Sequence, residues 1–146
     1  MFTPGIDIDR LAELVIGCAI HVHREMGPGL LEDIYQECAE IELASAGIPF
    51  ECERHLPIAY KGSALKKHLR IDLLIDRRLV VELKAVDAIH PIHKAKVIAY
   101  LKLTRCPAGL IINFNEPTLT AGVRRLDHPA IYARKRRVAP EPPHDP

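Results

Sequence analysis

The stretch IDLLIDRRLVVELKA, residues 71–85, puts charge where buried strands prefer aliphatic side chains. Asp72, Glu82 and Lys84 stand inside two apolar runs separated by the charged loop Asp76-Arg77-Arg78. Alternate residues of a strand face the same way, so Asp72 shares a face with Arg70 and Leu74, and Glu82 shares one with Val80 and Lys84. The loop decides whether the two faces coincide. A three-residue loop sets Ile75 opposite Leu79 and Asp72 opposite Glu82, with Cβ atoms about 5 Å apart. A two-residue loop moves Asp72 onto the face of Val81 and Leu83 and separates the acids. Opposed carboxylates repel and cannot both ionise freely without positive charge between them. A hard divalent cation meets that need. Magnesium, with manganese as the alternative, takes one or two carboxylates and completes its shell with water and substrate phosphate. Lys84 can neutralise the pair, orient a water for attack or stabilise charge on a phosphate. The bland alternative is a solvated sheet face on which Lys84 pairs with an acid.

Other residues extend the group. Glu32 shares one side of a helix with Tyr35, Ala39 and Leu43, at the margin of the buried arc. On a later helix His93, Lys96 and Tyr100 share a face and offer donors that reach a phosphate. Tyr35 reads as a packing residue whose hydroxyl finds a partner. The histidines of HVH (21–23) and DAIHPIH (87–93) invite a zinc hypothesis. The first two diverge by about 200° on a helix and the second group has no thiol partner, so no zinc site is expected.

The elements that must position these groups follow from periodicity. Apolar spacing predicts a first helix over 8–26 with Asp7 or Asp9 as its N-cap, ended by Gly27-Pro28-Gly29. A second helix runs from about Leu30 to Ala46 and stops at Gly47 and Pro49. The period then becomes two. RHLPIAYKG reads as a first strand reaching a turn at Gly62, HLRIDLLI as a second and LVVELKAV as a third. Pro57 argues that the first strand lies at an edge or is bulged. Residues 92–104 return to helical spacing, and GLIINF at 109–114 reads as a short, wholly apolar strand of the buried kind. The second and third strands are placed to form an antiparallel hairpin, and the fourth, arriving by way of a helix, to lie parallel to the third. The result is a mixed α/β sheet with helices against it.

The 146 residues suit one domain, here 1–126, able to bury roughly 70% of the surface that the unfolded chain exposes. Residues 127–146, with the run Arg134-Lys135-Arg136-Arg137 and repeated prolines, read as a basic, disordered tail. Of twenty Lys and Arg and nineteen Asp and Glu, four and three fall in that tail, leaving sixteen of each in the body. The neutral body excludes binding of nucleic acid by global charge and leaves room for a local patch. No apolar run approaches the roughly 20 residues of a membrane span, and MFTPGIDIDR lacks the basic-then-apolar order of a signal peptide. Cys18, Cys38, Cys52 and Cys106 form no C-x-x-C pair, which points to free thiols in a cytoplasmic protein.

GLLEDIY at 29–35 matches a GxxExxY signature through Gly29, Glu32 and Tyr35, and RIDLLI followed by VELKA matches a D…ExK core. Over roughly residues 8–115 the sequence resembles the GxxExxY proteins of the PD-(D/E)XK nuclease superfamily. The resemblance implies a restriction-endonuclease-like core, with a helix before three antiparallel strands and then a helix and a further strand. It implies that Asp72 and Glu82 bind magnesium, that Lys84 is the catalytic lysine and that Glu32 is an additional acid. The chain departs from the pattern in two ways. Related nucleases often carry a glutamine where Lys96 stands, four residues before Tyr100, and the four-cysteine cluster of some relatives is missing. The expectation is a magnesium-dependent nuclease acting on nucleic acid, DNA by preference, with a homodimer or a larger complex as the assemblies considered. The alternative is a weakly active or inactive nuclease-fold module that binds nucleic acid or a protein partner. The two differ in that a binder retains salt-sensitive affinity without metal.

Overall fold

The computed structural model describes residues 1–131. A side-chain cap starts the first helix: the Asp7 carboxylate accepts the Arg10 N–H at 2.8 Å, and α1 runs Ile8–Met26. Gly27 and Gly29, both at positive φ, turn the chain into α2, Glu32–Ser45. The remaining elements are β1 Phe50–Leu56, β2 Ala59–Tyr60, β3 Ser63–Ala64, β4 Leu69–Ile75, β5 Leu79–Lys84, α3 Pro91–Thr104, β6 Ala108–Asn113, a 3-10 turn Leu119–Gly122 and β7 Val123–Asp127.

Five strands form one mixed sheet in the order β1-β4-β5-β6-β7, with β5 and β6 parallel and the other neighbours antiparallel. Leu73↔Val81, Leu74↔Val80 and Ile75↔Leu79 pair across the β4–β5 hairpin, so the three-residue loop is the one the chain adopts. Helices cover both faces. Against α1 and α2 lie Leu73, Ile75, Leu79, Val81, Leu83, Leu110 and Ile112, whereas Leu74, Val80 and Ile111 meet Val97, Tyr100 and Leu101 of α3. Gly109 lets α3 come this near, because a Cβ there would sit 2.8 Å from a Val97 methyl carbon.

Two parts of the sequence reading are corrected. The first strand does not run from Arg54 to Gly62: β1 ends before Pro57, which has no N–H to continue a ladder, and β2 and β3 form a separate two-stranded arm turning at Lys61-Gly62. The second edge strand, β7, was not anticipated, since its exposed Arg124 and Arg125 interrupt any apolar pattern. β7 closes at Asp127, where the tail was expected to begin, and the tail expectation for 132–146 lies outside the described residues. All four cysteines are free, and among the described residues no helix is long and apolar enough to cross a membrane.

Candidate active site

The ladder between β4 and β5 stops where the acids begin. Beyond Leu73↔Val81 the strands part, and the Leu83 N–H turns to the Asp72 carboxylate, donating to Oδ2 at 2.9 Å. The opening leaves Asp72 and Glu82 side by side on the face covered by α3. Glu82 is 2% exposed, a burial that an ionised carboxylate tolerates only with partners. Its Oε1 has two: Lys96 of α3 at 2.9 Å and Lys84 at 3.4 Å. Its Oε2 is buried with none. Burial first, and the neighbouring Glu82 second, push the Asp72 carboxyl up to about 6, against the pull of the Leu83 N–H and of Lys96.

The cations are tuned by the same group. Burial alone would lower the Lys96 ammonium, but the hydrogen bond and charge of Glu82 outweigh it and raise its pKa. His93 shifts the other way, lowered by burial and by the nearby Lys84 charge. It also accepts the His90 N–H at Nδ1, closing a reciprocal cap at the start of α3. Lys84 and Lys96 therefore converge on Glu82, with His93 close enough to feel all three charges. Tyr100 is buried beside Lys96, and its hydroxyl donates to the Arg70 carbonyl at 3.2 Å, tying α3 to the start of β4.

Glu32 approaches from the opposite side of the sheet. Its Oε1 accepts the Ala85 N–H at 3.3 Å, just past β5, so it holds the strand end from the face opposite the acid pair. The turn motif explains how. Tyr35 is fully buried, stacks on Phe114 with ring centroids 4.4 Å apart, donates to the Gly27 carbonyl and accepts the Leu30 N–H at 3.1 Å. Gly29, at φ +98°, supplies the backbone conformation that this turn needs. The motif is thus a clamp that fixes the first turn of α2 and with it Glu32.

Asn113 is the residue that sequence reasoning missed. It ends β6 opposite Lys84, is fully buried, and its side-chain amide both accepts the Val86 N–H and donates to the Val86 carbonyl. The segment leaving β5 is held there by two hydrogen bonds. The signal was present as a lone polar residue in a run read as wholly apolar.

Among the described residues no three His, Cys, Asp or Glu side chains converge into a cation cage. The two carboxylates nonetheless suit magnesium or manganese, which needs only one or two protein ligands, and the unpartnered Glu82 Oε2 beside Asp72 is the donor such an ion would satisfy.

The sequence model of the PD-(D/E)XK nuclease superfamily matches residues 9–126. The solved crystal structure of SSO0001 is similar in fold, with a TM-score of 0.54 at 21% identity over 87% of this chain and 71% of that one. No curated protein matches the chain.

Proposed function

Because the chain belongs to the PD-(D/E)XK nuclease superfamily, we propose that it hydrolyses phosphodiester bonds in nucleic acid, DNA by preference, with a divalent ion held by Asp72 and Glu82. The motif through Gly29, Glu32 and Tyr35 supports placing it among the GxxExxY proteins of that superfamily. One observation carries the reading: a nearly buried glutamate with one oxygen unpartnered, beside an aspartate whose pKa its burial raises, at the point where two strands separate.

Magnesium or manganese, when bound there, supplies Lewis acidity toward the scissile phosphate and a lowered pKa for water. The chain's own residues do the rest. Asp72 and Glu82 provide the oxygen donors. Lys84, held within 3.4 Å of Glu82, keeps a positive charge beside the acids, where it orients an attacking water and stabilises the charge that develops on the phosphate. Glu32 fixes the end of β5 through Ala85. His93 and Lys96 stand on the α3 side, where a phosphate would approach.

A second reading has its own observation. Lys96, in place of the glutamine common in related nucleases, already occupies Glu82 Oε1 at 2.9 Å, which favours a module that binds nucleic acid with little turnover. Calorimetric titration of magnesium and manganese into the wild type, Asp72→Asn and Glu82→Gln, with cleavage assays on single-stranded, duplex and branched substrates, separates the two. The nuclease reading expects the wild type to bind the ion and cleave, and both variants to stay folded and lose about a hundred- to a thousandfold in rate, as expected when electrostatic stabilisation of the transition state is removed. A wild type that binds nucleic acid but no divalent ion supports the binding module and overturns the nuclease.

A further inference from the structure

Residues 54–71 carry five Lys or Arg and two His without a single Asp or Glu, whereas the rest of the body up to residue 126 holds eleven bases against sixteen acids. Two of those cations are neutralised by neighbours on β1: Arg54 pairs with Glu51 at 3.0 Å and Arg70 with Glu53 at 3.7 Å. Lys61, Lys66 and Lys67 are exposed and, among the described residues, form no ion pair. They lie on the arm that leaves the sheet after Leu56↔Leu69, the last pair of β1 and β4. The arm is ordered by its own bonds. Ala59↔Ala64 and Tyr60↔Ser63 pair, Leu65 N–H donates to the Ile58 carbonyl, and Lys61-Gly62 at positive φ make the two-residue turn.

The placement matters. β4 enters the sheet from this arm, and at about 3.3 Å per residue Leu69 stands roughly 10 Å from Asp72. The arm therefore leaves the molecule at the end where β4 and β5 open around the acids. At its tip Tyr60 is 64% exposed, with the Lys61 ammonium 5.5 Å from its ring centroid. Ammonium groups without acid partners on the same arm as an exposed aromatic ring are the two components of single-strand binding, backbone charge and a base-stacking surface. A duplex keeps its bases stacked inside and would use only the charges.

We propose that the arm of residues 57–68 binds a single nucleic-acid strand, with Lys61, Lys66 and Lys67 on consecutive phosphates and Tyr60 against a base, and leads that strand to Asp72 and Glu82. The direction of the strand rests on the nuclease reading; the affinity does not. The substrate that fits is one with a single-stranded end or flap next to the bond to be cut.

The test is fluorescence anisotropy of an end-labelled single-stranded oligonucleotide with the full chain in EDTA, across 50–200 mM salt. Replacing Lys61, Lys66 and Lys67 together by Gln lowers affinity by about 10- to 100-fold at 0.1 M salt and flattens the log–log salt slope by about two, three lost contacts at about 0.7 each. The corresponding triple Lys→Arg variant restores both, which a misfolded arm would not allow. Tyr60→Ala costs about tenfold on the single strand and less on a duplex. A Gln triple variant that binds with wild-type affinity and slope overturns the proposal, as does a wild type with no affinity for the oligonucleotide. Because metal is absent, these outcomes are independent of cleavage: loss of turnover in the metal assay with arm-dependent binding intact removes the nuclease reading and leaves the arm.

Discussion

The two ends of the β4–β5 hairpin are built from neighbouring residues and do opposite things. At the closed end, Leu73, Leu74, Ile75, Leu79, Val80 and Val81 are all buried, pair in register and pack against helices on both faces. The turn is finished locally by the Arg78 N–H donating to the Ile75 carbonyl and by the Asp76–Arg78 ion pair at 2.8 Å. At the open end, one residue further along each strand, the ladder gives way to carboxylates, and a side chain takes the backbone donor that a strand would have used. The closed end pairs and buries its apolar side chains and confines its left-handed backbone to Asp76 and Arg77 of the turn, whereas the open end places like charges together and leaves Glu82 Oε2 buried without a partner. Such violations are expected where a site must meet something the protein itself does not supply.

The comparison is broken most severely by a substitution that leaves the acids alone. Leu73→Ala removes a residue that is 1% exposed from the face covered by α1 and α2, and is expected to cost about 2–4 kcal/mol through lost burial and the cavity left behind. Urea unfolding followed by circular dichroism measures it. An effect under about 1 kcal/mol would mean that the closed end does not anchor the hairpin. Lys96→Met sharpens the comparison from the other side. Removing one partner of a buried charge is costly, but Lys84 remains beside Glu82 and the Lys96 side chain is 42% exposed, so the expected loss is about 1–2 kcal/mol at pH 7 in EDTA. Magnesium should then raise the thermal midpoint of this variant more than that of the wild type, because a bound cation replaces the ammonium that was removed. Equal shifts would show that Lys96 and the ion do not share Glu82.

The parts legible in the sequence were those fixed by local pattern. Strand alternation left two hairpin registers, one of which opposes Asp72 and Glu82, and the three-residue loop that the chain adopts selects it; both long helices came from apolar spacing with their caps and stops, and the parallel fourth strand from its helical connection. The illegible parts depend on how separated segments meet. Lys96 was read as a donor for phosphate, and its bond to Glu82 depends on the rotation of α3 over the sheet, which Gly109 permits and no spacing within the helix encodes. Glu32 was read as facing whatever its helix packs on, but its bond to Ala85 joins residues 53 positions apart. β7 was invisible because its adjacent exposed Arg124 and Arg125 break the alternation of a half-buried strand, and the arm after Pro57 was absorbed into β1 because its residues have the same period.

The smallest effect is the most specific to the open end. The Asp72 carboxyl is raised from 3.8 to about 6 in the folded protein, first by burial and then by Glu82. Between those values the native state holds a proton that the unfolded chain has lost, so the stability that the protonated form contributes is full below the unfolded pKa and falls as pH rises towards 6. Allowing for partial solvent exposure, the loss is on the order of 1–2 kcal/mol. Asp72→Asn cannot titrate. In EDTA it should match the wild type near pH 4, exceed it by about that amount above pH 7, and show a flatter profile between. Magnesium should abolish the difference in the wild type, since an ion on the pair favours the ionised carboxylates and releases the proton that burial retained. Thermal midpoints measured from pH 4 to 8, with and without the ion, read all three effects. If the wild type and the Asn variant run parallel across this range, Asp72 does not feel the burial and the Glu82 charge that the opening of the strands imposes.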